Sequence, residues 1–190
     1  MTLRPRTRIA AAFLLAAACG HGKPAGSALR GPDAKGNWYS VAGDAGLGQP
    51  ISFGTVLTVE PGVRERVLIR SIELVGARGL DAAHVSINGP GRSFSMIGVQ
   101  RGPLPELDQD VLHLPTAAVY PGDPRGVAVT FTLQRSTAGR GYATGYAVSY
   151  TAAGKRGRQV FRTGVAVCAI PGFQEGVDAP RCPTVARPRH

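Results

Sequence analysis

The sequence predicts an all-β fold, an antiparallel β-sandwich of about seven to nine strands, on three observations. Short apolar, β-branched runs recur from Ile51 to Val167 and are separated by clusters of Gly, Pro, Asn and Asp. The segment Val127 to Gln134 alternates without a slip: Val127, Val129, Phe131 and Leu133 face one way, Ala128, Thr130, Thr132 and Gln134 the other. That is the period of a half-buried strand. Beyond the N-terminal leader, no stretch keeps an apolar 3.6 period for the length of a stable helix before Gly or Pro breaks it. A chain of 190 residues suits one domain with its own core and is short for two.

The leader, Met1 to Gly20, stands apart from this pattern. Arg4, Arg6 and Arg8 form a basic head, and Ile9 to Ala18 form an apolar run too short to span a bilayer. Small residues then precede a cysteine. This is the build of an export signal over residues 1–18, removed from the mature chain. In Leu15-Ala16-Ala17-Ala18-Cys19 the leader resembles bacterial lipoprotein precursors. The resemblance implies cleavage before Cys19 and a diacylglyceryl group on its thiol, with palmitate-type acyl chains holding the protein at a cell membrane. An ordinary secretory signal cut near Ala18 uses the same small residues and is the alternative. Either route places the mature chain outside the cytoplasm.

Charge bears on the partner. The full chain carries +10 at pH 7, and without Arg4, Arg6 and Arg8 nineteen bases face twelve acids. A net +7 favours anionic surfaces such as phospholipid headgroups or acidic wall polymers. Nucleic acid is not the expected partner, because export removes the chain from it and no nucleic-acid motif is present. Of the three cysteines, the lipoprotein resemblance implies that Cys19 is spent on lipid. Cys168 and Cys182 remain as one pair in an oxidising compartment, and their bridge would close a loop of about 15 residues, worth about 3 kcal/mol.

Residues 19–37 read as a flexible tether, since Gly, His, Lys, Pro, Ala and Ser follow one another without an apolar period. The domain is expected over residues 38–170. Trp38 and Tyr39 plug the edge of its core, and Ile51 to Val59 forms the first clear strand, ended by Glu60-Pro61-Gly62. Val63 to Val75 is also extended, but Val67 and Ile69 occupy odd positions and Ile72 and Leu74 even ones. One pair would face solvent unless the strand bulges or bends near Arg70-Ser71. His84 to Asn88 and Ser93 to Gln100 are expected as neighbours across Asn88-Gly89-Pro90-Gly91. Val111 to Leu114 is extended, and Pro115 to Asp123 crosses between sheets. Three adjacent antiparallel strands follow: Val127 to Gln134, then Tyr142 to Tyr150, then Phe161 to Val167, with turns at Ser136 to Gly141 and Gly154 to Gly157. The sandwich is similar to immunoglobulin-like domains in architecture, without the Cys, Trp, Cys spacing of antibody domains. Residues 171–190 form a Pro-rich, basic tail.

The inventory for chemistry is thin. No nucleophile elbow, phosphate loop, Cys-x-x-Cys or His-Glu-x-x-His is present, and the sequence implies no catalytic residue and no cofactor. An envelope hydrolase of unrecognised type would need residues scattered over several loops. His84, Met96 and His113 resemble in order the ligands of cupredoxin-like periplasmic copper-chaperone lipoproteins. That resemblance implies a copper-handling alternative in which imidazole and thioether bind Cu(I). The interval to His113 is shorter than in that family, and Pro115 stands where its last Met would be. Glu106, Asp108 and Asp110 read as a solvated acidic loop rather than a calcium site. Tyr142, Tyr146 and Tyr150 share one strand face and could stack a sugar, but Val148 among them and Phe131 in the neighbouring strand argue for core packing. Lys155, Arg156, Arg158 and Arg162 cluster on one hairpin and are the candidate anionic-surface patch. The expected function is that of a non-enzymatic envelope protein whose sandwich binds an envelope partner or an anionic surface.

Overall fold

The computed structural model describes residues 27–31, 38–43, 47–89, 98–102 and 111–169. Thirteen strand segments and no helix are found among them. In chain order they are β1 (Leu29–Arg30), β2 (Trp38–Gly43), β3 (Pro50–Val59), β4 (Val67–Val75), β5 (Leu80–Asn88), β6 (Gly98–Arg101), β7 (Val111–Leu112), β8 (Ala118–Val119), β9 (Val127–Arg135), β10 (Arg140–Ala143), β11 (Gly145–Ala152), β12 (Lys155–Phe161) and β13 (Gly164–Ala169). The count exceeds the expected seven to nine for two reasons. Three segments are only two residues long, and the last hairpin is broken into four.

The first layer runs β1-β3-β9-β5-β7. One edge of β3 is shared by β6, opposite Ser52 to Gly54, and by β1, opposite Thr58 and Val59. The second layer contains β12-β11-β4-β8 and β10-β13-β2. Thr144 alone separates β10 from β11, and Arg162 and Thr163 alone separate β12 from β13. These four are therefore the halves of one long hairpin. Between the pairs Ala143↔Val165 and Tyr146↔Phe161 one strand advances three residues and the other four. An extra residue bends the hairpin there, as a bulge does. A bridge from Arg78 to Tyr142 carries the β4 ladder past the same point.

The expected bulge in β4 is present. Ser149 pairs with Ser71 and Tyr150 with Ile69, so Arg70 is the unpaired extra residue. Val67 and Ile69 are buried before it and Ile72 after it, while Arg70 and Ser71 both face solvent. One inserted residue thus lets a strand whose apolar positions change phase keep them all inside.

Several expectations need correction. Ala28 and Leu29, inside the expected tether, are buried in the core. Leu29 pairs with Val59, and the Gln159 side chain grips it, with Oε1 accepting from Leu29 N at 3.3 Å and Nε2 donating to Leu29 O at 2.7 Å. The amide copies a strand's donor and acceptor, tying β1 to the second layer as well as the first. β6 pairs with β3 and not with β5, whose two edges are taken by β9 and β7. For the same reason β9 is not adjacent to β10 and β11: β3 and β5 flank it, and the chain changes layer at Ser136 to Gly139. Pairing is not antiparallel throughout, since β2 lies parallel to β13. Pro115 to Asp123 does cross layers, contributing β8 beside β4 on the way. The turn expected at Gly154 to Gly157 sits at Ala153-Gly154. Residues 103–110 and 171–190 lie outside the described residues.

Five rings run through the core. Tyr39 meets Phe53 at 6.0 Å between centroids, Phe53 meets Phe131 at 5.6 Å, Phe131 meets Tyr146 at 5.6 Å, and Tyr146 meets Phe161 at 5.0 Å. Phe53 and Phe131 belong to one layer, Tyr39, Tyr146 and Phe161 to the other, so the series crosses the interface twice. Tyr146 is fully buried, and its hydroxyl shares a 3.3 Å hydrogen bond with Thr55 across the layers. Tyr39 thus fills the edge as expected, while the side chain of Trp38 is outside the described set.

Ala153 and Gly154 have φ of 49° and 72°, which with a two-residue loop is a type I′ turn. Ala153→Asn supplies the pair this turn favours and should stabilise the protein by about 1 kcal/mol, a rise in Tm of about 2–4 °C. At Gly157 a Cβ would come within 2.6 Å of the Tyr150 ring. Gly157→Ala should cost about 1–3 kcal/mol in a urea melt. Burial pushes the Tyr146 phenol well above its ordinary 10.0, against the lowering effect of the Thr55 hydrogen bond. The folded chain keeps this proton where the unfolded chain loses it. Stability from this group is therefore full below pH 10 and declines as pH rises above it. Tyr146→Phe should cost about 1 kcal/mol at neutral pH and make the alkaline decline of Tm shallower.

Candidate anionic-surface site

The site begins with the alternation of β12. Gly157, Gln159 and Phe161 point inward, and Arg156, Arg158 and Val160 point outward. The inward residues are each committed to a partner. Gly157 leaves room for the Tyr150 ring, Gln159 holds Leu29, and Phe161 stacks on Tyr146. With those three fixed, register places the two arginines on the outer face, roughly 7 Å apart along the strand. Thr151 stands opposite Arg156 and Ser149 opposite Arg158 on β11.

The β4 bulge adds a third guanidinium. Arg70 turns outward and is fixed twice, Nε donating to Thr151 Oγ1 at 3.1 Å and Nη1 donating to the Pro115 carbonyl at 3.3 Å. Arg158 is oriented by Glu73, which accepts from Nη2 at 2.7 Å and from Nε at 3.3 Å through one oxygen. That pair is half exposed on both sides, so its value is mainly directional and at most about 1 kcal/mol. Among the described residues Arg156 has no ion-pair partner. Arg70, Ser149, Tyr150, Arg156, Gly157 and Arg158 line one open cleft of about 710 Å³. Around the turn, Arg64, Glu65, Lys155 and Arg156 share the margin of a second, of about 310 Å³, floored by Ala28, Val63 and Tyr150. Convergent guanidinium groups with a hydroxyl between them can bind an oxyanion by charge and by directed N–H donors.

The expected patch is divided by this geometry. Lys155, Arg156 and Arg158 lie at the hairpin end, whereas Arg162 lines a separate cleft with Arg30, Glu60 and Gln159, roughly 13 Å further along the chain than Arg158 and roughly 20 Å further than Arg156. Sequence reasoning missed Arg70 and Ser149. The phase change in Val63 to Val75 was the available signal, since the residue extruded by a bulge is a residue turned to solvent.

The other candidates are placed as follows. His84 is exposed on β5, and His113 is exposed one residue past β7, the strand that pairs with β5. Met96 lies outside the described residues, as do Glu106, Asp108 and Asp110. Among the described residues no three His, Cys, Asp or Glu side chains gather into a metal-holding group. The tyrosine stripe is not a surface feature. Tyr146 and Tyr150 are buried, while Tyr142, beyond the break at Thr144, packs on Ala166 and Cys168 in a separate cluster beneath the Arg140 guanidinium. Cys168 is buried and disulfide-bonded. Cys19 and Cys182, the other cysteines of the chain, lie outside the described residues, as does the leader. No helix among the described residues is long and apolar enough to cross a membrane. No protein-family model matches the chain, and no curated protein matches its sequence.

Proposed function

We propose that this is an exported, non-enzymatic binding module of a bacterial envelope, anchored to the cell membrane through lipid on Cys19. Its immunoglobulin-like sandwich holds a basic hairpin face against an anionic surface of lipid or wall polymer. The observation that carries the reading is the gathering of Arg70, Arg156, Arg158 and Lys155 around one end of the second layer, with Glu65 and Glu73 as the neighbouring acids. The leader supports export, and the mature charge of nineteen bases against twelve acids supports an anionic partner. Sandwich folds carry recognition on surface elements of a rigid scaffold, which suits a hairpin whose inward residues are locked. In this reading Cys182 is the partner of Cys168, and the bridge pins the basic tail to β13.

Two measurements test it. The intact mass of protein purified from its own membranes should begin at Cys19, include diacylglycerol and fall two hydrogens short for the Cys168 to Cys182 bridge. A mass beginning at Cys19 or nearby without lipid would make the protein secreted, and a mass with one bound copper would favour the two histidines and Met96 instead. In sedimentation with phosphatidylglycerol vesicles, binding should weaken as salt rises from low to physiological strength. It should be absent on phosphatidylcholine, and binding indifferent to salt and lipid charge would refute the anionic-surface reading.

A further inference from the structure

We propose that Arg70, Arg156, Arg158 and the Ser149 hydroxyl form a built receptor for a single phosphate group, and that the basic face is more than a diffuse patch. The proposal deepens the anionic-surface reading and rests on it for the class of partner. Two of the three guanidinium groups are already oriented by the protein. Arg70 spends Nε on Thr151 and one Nη1 proton on Pro115, so its Nη2 edge remains to donate. Arg158 gives its Nε and Nη2 edge to Glu73 and keeps both Nη1 protons. Arg156, without an ion-pair partner among the described residues, shares the cleft with them. Ser149 pairs with Ser71 on one side and Arg158 on the other, so its hydroxyl lies between the strands that supply the arginines.

The open fork of Arg156, the remaining N–H donors of Arg70 and Arg158, and a hydroxyl offer more donors than the two oxygens of a carboxylate accept, and they match the oxygens of a phosphate. Glu73 is part of the design. A lone carboxylate at the rim holds Arg158 in place when the site is empty and competes with the incoming anion, which keeps binding reversible. The phosphate could belong to a lipid headgroup, to a polymer phosphodiester or to a free phosphoryl compound, and the chemistry is common to all three.

The test titrates the purified protein with inorganic phosphate and with glycerol 3-phosphate, read by calorimetry and by the arginine Nε–H signals in NMR, beside phosphatidylglycerol vesicle binding. Arg70→Lys and Arg156→Lys keep the charge and remove the fork, so a receptor should lose about tenfold in phosphate affinity for each. A diffuse patch would lose almost nothing. Ser149→Ala should weaken binding about threefold to tenfold, and Glu73→Gln should tighten it. Arg162→Lys, in the other cleft, should change nothing. Circular dichroism melts of each variant separate lost binding from lost fold, and Glu73→Gln is informative even if the arginine variants prove unstable.

If the lysine variants weaken phosphate and vesicles together, the receptor takes headgroups. If they weaken phosphate while vesicles are ignored by the parent, the receptor stands for a soluble or polymeric phosphate and the membrane-surface part of the reading falls. If vesicles bind in a salt-dependent way, equally well to parent and lysine variants, and phosphate does not bind, the receptor is overturned while the anionic-surface reading survives. Binding to neither overturns both.

Discussion

The contact on which the rest depends is the seating of Tyr146 between the two layers. Its ring joins Phe131 of the first layer to Phe161 of the second, and its hydroxyl reaches Thr55 on the opposite sheet. A buried phenol is costly unless its polar end is satisfied, and only one spacing and one register of the layers bring Thr55 within reach. Apolar packing alone would tolerate some sliding of one sheet on the other. The single directed bond removes that freedom, and the ring series on either side of it then fixes where β3, β9, β11 and β12 lie. The outer face of the hairpin inherits its geometry from this inner one.

Inner and outer demands meet again at Arg70. A strand whose apolar residues switch from odd to even positions must insert a residue to keep them all inside. The inserted residue faces outward by necessity. That it is an arginine, beside two others delivered by ordinary alternation on β12, couples a packing requirement to the charge of the surface. Gly157 shows the same economy, because its missing side chain is the space that Tyr150 fills and its place in the register is what sets Arg156 and Arg158 on the outer face.

Much of this was legible in the sequence for a local reason. Alternation along Val127 to Leu133 and the phase change in Val63 to Val75 are properties of single strands, and both strands are built as their residues imply. Which strands become neighbours is a property of the whole chain, and there local pattern misleads. The loop Asn88 to Gly91 looks like a hairpin, yet β7 takes the edge of β5 at Ile87 and Asn88, and Gly98 to Gln100 pair with β3 instead. Leu29 sits in a polar, small-residue stretch and gave no periodic signal, since two paired residues are too few to show a period. Its partners, Val59 and Gln159, are distant in the chain. On the candidate site the same division holds: Arg156 and Arg158 could be read from one strand, while Arg70 and Ser149 reach the cleft only through register between strands.

The grip of Gln159 on Leu29 has a mechanical side. With β1 stitched to both layers, the folded body begins at or before Ser27, only eight residues after Cys19. A fully extended chain of that length spans no more than about 30 Å. If Cys19 carries the lipid proposed above, a leash so short would confine the domain to a shallow zone above the membrane. Within that zone the local concentration of surface groups is set by geometry and not by solution affinity, so weak contacts suffice to orient the body. Tension on the leash would load the β1 ladder and the Gln159 amide first, well before it reached the ring series of the core.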